Sequence, residues 1–223
     1  MNFTEHTVSV VIGGHSGIGQ AVAAALARRP GRVHVASRRN GLDLADAAAV
    51  ERYFAALGEV DHVVFTAGSQ APGGFVSGLD LAAAHAAFEI KFWGSVAVSK
   101  ALAGRLREGG SLTLTGGFLA RRTVPGTLVK TAMNAALEAT TRLLARELAP
   151  RRVNLVSPGL TDTAAYAAME EPARLAMLAR AAATLPAGRH GRAEDLAQAY
   201  LAAIDNPFMT GAVLDVDGGA LIN

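Results

Sequence analysis

The sequence predicts a doubly wound α/β domain: a parallel sheet of about seven strands with helices on both faces. Three observations carry this. Short β-branched runs alternate with longer alanine-rich segments of helical period, the pattern of consecutive βαβ units. The runs are apolar almost without interruption, as strands buried on both faces are. The chain of 223 residues is 51% apolar and 18% charged, below the ~25% charged residues of an average globular protein, so it can bury a large core. Its length suits a single domain over residues 1–223.

The elements follow in order. Val8–Ile12 is the first strand and ends in glycines; about Gly19–Arg28 is the first helix. Val33–Ala36 is the second strand, Leu42–Leu44 a very short one, and Ala45–Leu57 a helix. Val60–Phe65 is a clear strand, followed by a long helix from Leu81, capped by Asp80, to Arg107. Leu112–Thr115, the helix Val129–Ala149, Val153–Val156, the helix Ala193–Ala203 and the strand Ala212–Val216 complete the series. Thr161–Arg192 carries no strand pattern and is the candidate substrate lid, since an excursion after a late strand can cover the ligand crevice of an open α/β sheet.

Composition removes several function classes. Without cysteine there is no disulfide, thiol catalysis or cysteine-ligated metal. His62, His85 and His190 lack ligand spacing, so no metal site is expected, and His15 is read as a backbone spacer near a phosphate. Twenty-one basic against 19 acidic residues is too balanced to predict nucleic-acid binding. No apolar run reaches the ~20 residues of a membrane helix and no leader pattern opens the chain, so a cytoplasmic protein off the membrane is expected. No Gly-x-Ser-x-Gly elbow supports hydrolase chemistry.

Gly13-Gly14-His15-Ser16-Gly17-Ile18-Gly19 joins the first strand to the first helix. Glycines let backbone approach a phosphate, and a helix amino terminus offers free N–H groups and a favourable dipole. This placement marks a Rossmann-like nucleotide site with Gly13, His15, Ser16, Gly17, Ile18 and Gly19 around the phosphates. The second strand ends Ala36-Ser37-Arg38-Arg39, with no acid for a ribose 2′-hydroxyl. Arg38, together with Arg39, suits a 2′-phosphate and favours NADP(H) over NAD(H); the alternative is two solvated arginines.

On these residues the chain resembles the short-chain dehydrogenase/reductase family over essentially its whole length. Gly13, Gly17 and Gly19 match the family's glycine motif, and Asp43-Leu44 matches the pair that contacts the adenine. Thr66-Ala67-Gly68 is similar to its Asn-Asn-Ala-Gly turn. Ser157-Pro158-Gly159 with Thr161 and Thr163 resembles the segment at the nicotinamide end. Gly188–Ala197 and Thr210–Gly219 are similar to its carboxy-terminal signatures. The resemblance implies hydride transfer between a nicotinamide and a small carbonyl or alcohol substrate. It also implies a homodimer or homotetramer packed through the helices around Leu81–Arg107 and Val129–Ala149.

The family's chemistry uses Asn, Ser, Tyr and Lys, the last two spaced Tyr-x-x-x-Lys. Here the tyrosines are Tyr53, Tyr166 and Tyr200, and none has a lysine four residues on. Aligning Pro125-Gly126 and the helix onward from Asn134 with the family places Lys130 at the tyrosine, Asn134 at the lysine, Gly117 at the serine and Lys91 at the asparagine. Two of the chain's three lysines fall in this set, and asparagine and lysine have traded places. Two ammonium groups ~6 Å apart at an effective dielectric of ~20 repel by about 2.8 kcal/mol, roughly two pKa units. Lys130 is therefore expected as proton donor or electrostatic clamp, assisted by Lys91 and Asn134. The alternative is a catalytically silent NADP(H)-binding sensor or scaffold. Thr115 and Thr127 lack a pKa suited to acid catalysis. Tyr166 and Met169 are read as core rather than substrate contacts. Arg121 and Arg122 are read as solvated, with steering of an anionic substrate as the alternative.

Overall fold

Strand β1 (Val8–Ile12) is buried along its whole length and lies between two parallel neighbours, β2 (Arg32–Ala36) and β3 (Val60–Phe65). The computed structural model, which describes residues 3–68 and 70–223, continues the sheet through β4 (Leu106–Thr115) and β5 (Arg152–Pro158) to β8 (Val213–Val216). The order is β2-β1-β3-β4-β5-β8, parallel throughout. The chain steps outward from β1 to β2 and then crosses to the other side of β1 for β3. The crevice beyond the carboxyl ends of β1 and β3 is therefore the place where an open α/β sheet binds ligands.

Successive side chains of a strand point to opposite faces, and both faces here are covered. Val10, Ile12, Val63, Phe65, Leu112 and Leu114 enter one core, against α2 (Ala47–Leu57), α4 (Gly94–Leu102) and α5 (Leu128–Glu147). Val11, Val64 and Val156 enter the other, against α1 (Gly17–Leu26) and α7 (Ala193–Asp205). Burial on both sides is why these strands read as continuous apolar runs.

Three expectations are corrected. Leu42–Leu44 is not a strand, so the main sheet has six. Asp43 accepts a hydrogen bond from the Ala45 amide at 3.0 Å, which curls the chain into α2 instead of extending it. The long helix from Leu81 ends at Leu102, and Leu106 already begins β4. It is also interrupted: α3 (Leu81–Phe88), with the Asp80 carboxylate accepting from the Ala83 amide at 3.0 Å, passes through a π-helical turn, Glu89–Trp93, into α4. Finally, the interval Thr161–Arg192 does contain strand. β6 (Thr161–Asp162) pairs with β7 (Gly191–Arg192), tying together the two ends of the segment that holds α6 (Glu171–Thr184). An ion pair between Arg174 of α6 and Asp162 adds a second tie. Among the described residues no helix is long and apolar enough to cross a membrane.

Candidate active site

The glycine loop packs against the turn that leaves β3. Gly13 adopts φ +83°, and a Cβ there would stand 2.8 Å from the Ala67 amide nitrogen. A Cβ on Gly19 would overlap the Thr66 hydroxyl and the Gly13 carbonyl. Thr66 holds the junction by donating to the Ile12 carbonyl at 2.8 Å. Gly17 meets Thr163, which follows β6, so a Cβ at Gly17 would lie 3.1 Å from the threonine Cβ. The loop after β1, the turn after β3 and the stem of the lid thus converge at the carboxyl end of the sheet. Gly19→Ala should destabilise the chain by about 1–3 kcal/mol through overpacking at this junction, read from the urea midpoint. A midpoint equal to wild type would show that the loop has room to spare.

From this junction runs a cleft of about 720 Å³ lined by Gly13, Arg38, Asp43, Leu44, Ala67 and Gly68. Its dimensions and a glycine rim at a helix amino terminus fit a dinucleotide. Ser37 and Asn40 cap one another at its edge, the Ser37 amide donating to Asn40 Oδ1 at 2.6 Å, and so fix the turn that carries Arg38. Arg38 lines the cleft; Arg39 is exposed beside it and does not. His15 and Ser16 are exposed on the loop, while Ile18 packs against the core. Pro158 ends β5, and Gly159 approaches Asp217 so closely that a Cβ would stand 2.5 Å from its Cα. Thr161 is buried with its hydroxyl donating to the Gly159 carbonyl at 3.1 Å. Thr163 caps the turn that follows, accepting from the Ala165 amide.

Lys91, Gly117, Lys130 and Asn134, the four residues expected at the chemical positions, lie near one another at the end of β4. The π turn adds a residue to the helical repeat, as such turns often do at functional sites, and presents Lys91 to the end of β4. Lys91 Nζ donates to Asn134 Oδ1 at 2.8 Å and to the Gly116 carbonyl at 3.1 Å. With its oxygen committed to Lys91, the buried Asn134 amide turns Nδ2 over Gly117, where a Cβ would lie only 2.8 Å from it. Gly117 has extended backbone, so glycine is needed here for space rather than for φ. Lys130 precedes Asn134 by four residues on α5 and lies on the same helical face. It is exposed and has no hydrogen bond or ion pair among the described residues. Burial, reinforced by the positive charge of Lys130, pushes the Lys91 ammonium down to about 8. The half-buried amine with the depressed pKa is Lys91, whereas Lys130, expected as proton donor or electrostatic clamp, is exposed.

Other candidates are engaged elsewhere. Arg121 pairs with Glu138 at 3.0 Å and with Asp215 while staying exposed, and Arg122, half-buried, donates to the Ala220 carbonyl and to Asn223, so both also bond to protein. The Thr115 hydroxyl is held by the Phe65 carbonyl and by Tyr200, both at 2.6 Å. Thr127 bonds to the Val124 carbonyl and Thr131. Tyr166 lies half-buried in the lid and Met169 is exposed there. The sequence reading missed Ala83, Ala86, Ala87 and Ile90, which form one wall of the cleft. The alanines at 82–84, 86 and 87, broken only by His85, were the available signal, since a helix that borders a flat ligand needs small side chains.

Comparison with known proteins matches the fold and the glycine loop. Residues 41–220 match the family model described as enoyl-(acyl carrier protein) reductase. A short-chain dehydrogenase/reductase of Stachybotrys chlorohalonatus is 33% identical, covering 96% of each chain. Carbonyl reductase family member 4 of Danio rerio is 32% identical over 95% of this chain and 97% of its own. Among solved structures, a small-chain dehydrogenase in complex with NADPH superimposes with a TM-score of 0.95 at 52% identity, over 97% of this chain and 99% of that one. With its six-stranded parallel sheet, its glycine loop and these relatives along nearly its full length, the chain belongs to the short-chain dehydrogenase/reductase family of oxidoreductases.

Proposed function

We propose that this chain is an NADP(H)-dependent oxidoreductase acting on a small carbonyl or alcohol, with a lysine in place of tyrosine as the proton-transferring group. One observation carries the reading: Lys91 Nζ spends two of its three protons on Asn134 and Gly116 and keeps the third, beside an Asn134 Nδ2 that makes no hydrogen bond among the described residues. An ammonium has three donors and an amide nitrogen two, so the cluster offers a proton and a polarising hydrogen bond to one carbonyl oxygen. Asn134 Nδ2, standing where the side chain of residue 117 would project, takes over the polarising task of the absent serine.

NADP(H), when bound, supplies or accepts the hydride. Amides of the 13–19 loop would hold its pyrophosphate, Arg38 its 2′-phosphate, Asp43 and Leu44 the adenine. Ala67, Gly68, Pro158, Gly159, Thr161 and Thr163 would flank the remainder. The NADPH complex of the 52%-identical structure supports the cofactor, and the carbonyl reductase relative supports the substrate class. During reduction Lys91 gives its free proton to the substrate oxygen and takes another from solvent. During oxidation the neutral amine accepts that proton. Lys130, exposed at the start of α5, acts as the electrostatic clamp.

Calorimetric titration with NADPH and NADH, followed by a carbonyl screen that follows NADPH consumption, tests this. Arg38→Ser is expected to weaken NADPH about tenfold, near the ~1.4 kcal/mol of a charge-assisted hydrogen bond, and to leave NADH within about twofold. Equal losses for both would remove Arg38 from the 2′-phosphate. The absence of a Tyr-x-x-x-Lys pair favours a second reading, the catalytically silent NADP(H) sensor or scaffold; NADPH binding with no carbonyl reduced at any pH would select it.

A further inference from the structure

Glu138 is the one carboxylate buried among the described residues. A carboxylate out of water is costly unless it is paired, and an apolar side chain of similar size often serves stability as well. Glu138 stands four residues beyond Asn134 on α5, so the two share a helical face one turn apart. Its close partner comes from outside the helix: Arg121 Nε donates to Glu138 Oε1 at 3.0 Å. Arg142, on the helix itself, comes only to 3.8 Å and is largely exposed.

Arg121 closes the short turn that leaves β4. That turn starts at Gly117, passes through the 3₁₀ turn Phe118–Ala120 and reaches Arg121, whose amide donates to the Phe118 carbonyl at 3.1 Å. It is fastened to α5 at both ends. At its start Gly117 lies against Asn134, where a Cβ would stand 2.8 Å from Nδ2. At its end Arg121 is bonded to Glu138. Gly116, just ahead of the turn, supplies the carbonyl that accepts from Lys91 Nζ at 3.1 Å, and Asn134 Oδ1 accepts from the same nitrogen at 2.8 Å. Lys91 therefore bridges the turn and the helix, and the Arg121–Glu138 pair fixes the gap that it bridges. Arg121 is itself anchored, donating to both oxygens of Asp215 on β8, one of them at 2.9 Å.

Resting on the oxidoreductase reading, we propose that Arg121 is a positioning residue: paired with the buried Glu138, it fastens the turn after β4 to α5 and so sets the separation of the Gly116 carbonyl and Asn134 that aims Lys91 at the substrate oxygen. Arg121 acts through Lys91 and not on the substrate. When the pair is removed the turn loosens and water replaces the Gly116 carbonyl around the ammonium.

Arg121→Met alone would strand a buried carboxylate, so the test uses the pair variant Arg121→Met with Glu138→Leu, in which both charges leave together. Two readouts are taken. The first is kcat for NADPH-dependent reduction of the ketone or aldehyde that the wild type turns over fastest. It should fall about tenfold or more, as misplacement of a catalytic group does, with the NADPH dissociation constant within about twofold. The second needs no turnover. The chain has three lysines, Lys91, Lys100 and Lys130, so 13C labelling at lysine Cε gives three resonances to titrate. Burial is the main cause that holds Lys91 down at about 8, so its midpoint should rise by at least about half a pH unit once water enters. Glu138→Gln keeps an oxygen to accept from Arg121 and should leave kcat within about threefold and the Lys91 midpoint near its wild-type value. A control that removes a remote ion pair, Arg105→Met with Glu51→Leu, should move neither readout. A Lys91 midpoint unmoved or lowered in the pair variant would overturn the proposal, whatever happens to kcat. So would an unchanged kcat, a Glu138→Gln loss equal to that of the pair variant, or equal effects in the remote control. A raised midpoint in a chain whose wild type reduces no carbonyl would support the positioning of Lys91 by Arg121 and sink the oxidoreductase reading.

Discussion

Lys91→Met is expected to lower kcat for carbonyl reduction by roughly 10²–10⁴, the range that a positioned general acid contributes, while the NADPH dissociation constant changes by no more than about threefold. Methionine preserves the length of the side chain and removes the proton. The same role fixes the pH profile. Lys91 must be protonated to act as an acid and titrates at about 8, so the reduction rate should hold below that pH and fall above it. Oxidation of the alcohol needs the neutral amine and should rise through the same point. Lys130 is the charged neighbour that helps to depress Lys91, after burial. Lys130→Met should therefore move the inflection upward, yet keep it below the ordinary lysine value of 10.5 because burial remains. A reduction rate flat from pH 6 to 10 would remove Lys91 from proton transfer. Stability follows the same titration with its own sign. The folded value lies below the ordinary one, so the unfolded chain binds more protons between about 8 and 10.5. The cost of burying Lys91 is then full below pH 8 and is relieved as pH rises through that window.

The second large effect concerns the exchange of asparagine and lysine. Asn134→Lys alone places a second ammonium beside Lys91 Nζ, where the amide oxygen now accepts at 2.8 Å. A buried like-charge pair in place of a hydrogen bond should cost about 3 kcal/mol of stability. Lys91→Asn alone leaves the site without its cation and should cost less. The double variant, Lys91→Asn with Asn134→Lys, restores one lysine and one asparagine in the opposite arrangement and should recover most of the loss. A coupling of about 1–3 kcal/mol in this cycle, measured from urea midpoints, is the signature of one packed unit. Additive losses would mean that the two positions are independent. Gly117 belongs to the same unit, since Asn134 Nδ2 occupies the space that a side chain there would need.

How much of this could be read from residues alone depends on the range of the interaction. β1 and β3 were legible to the residue because burial on both faces leaves an uninterrupted apolar run. The glycine loop was legible because Gly13 and Gly19 are dictated by close approach to Ala67 and Thr66, and a strand-to-helix turn displays that need locally. The juxtaposition of Lys91 with Asn134 followed from register, but its geometry did not. It depends on the π turn Glu89–Trp93, whose one-residue phase shift is hard to see between two short alanine-rich helices. The division of labour between Lys91 and Lys130 was hidden for a related reason: spacing shows that two cations are near, whereas burial decides which one is pushed toward neutrality. β6 and β7 escaped because strands of two residues carry no period. Arg121 was read as solvated because Asp215 is 94 positions away in sequence and only the fold brings it close.

One measurement bears most directly on a lysine-based, NADP(H)-dependent site: the rate of NADPH consumption with a panel of small ketones and aldehydes from pH 6 to 10, for the wild-type chain and for Lys91→Met. The expected result is turnover in the wild type that declines with an apparent pKa near 8, and a rate at least a hundredfold lower, without that inflection, in the variant. A chain that binds NADPH and consumes none at any pH, or a variant that matches the wild type, would contradict it.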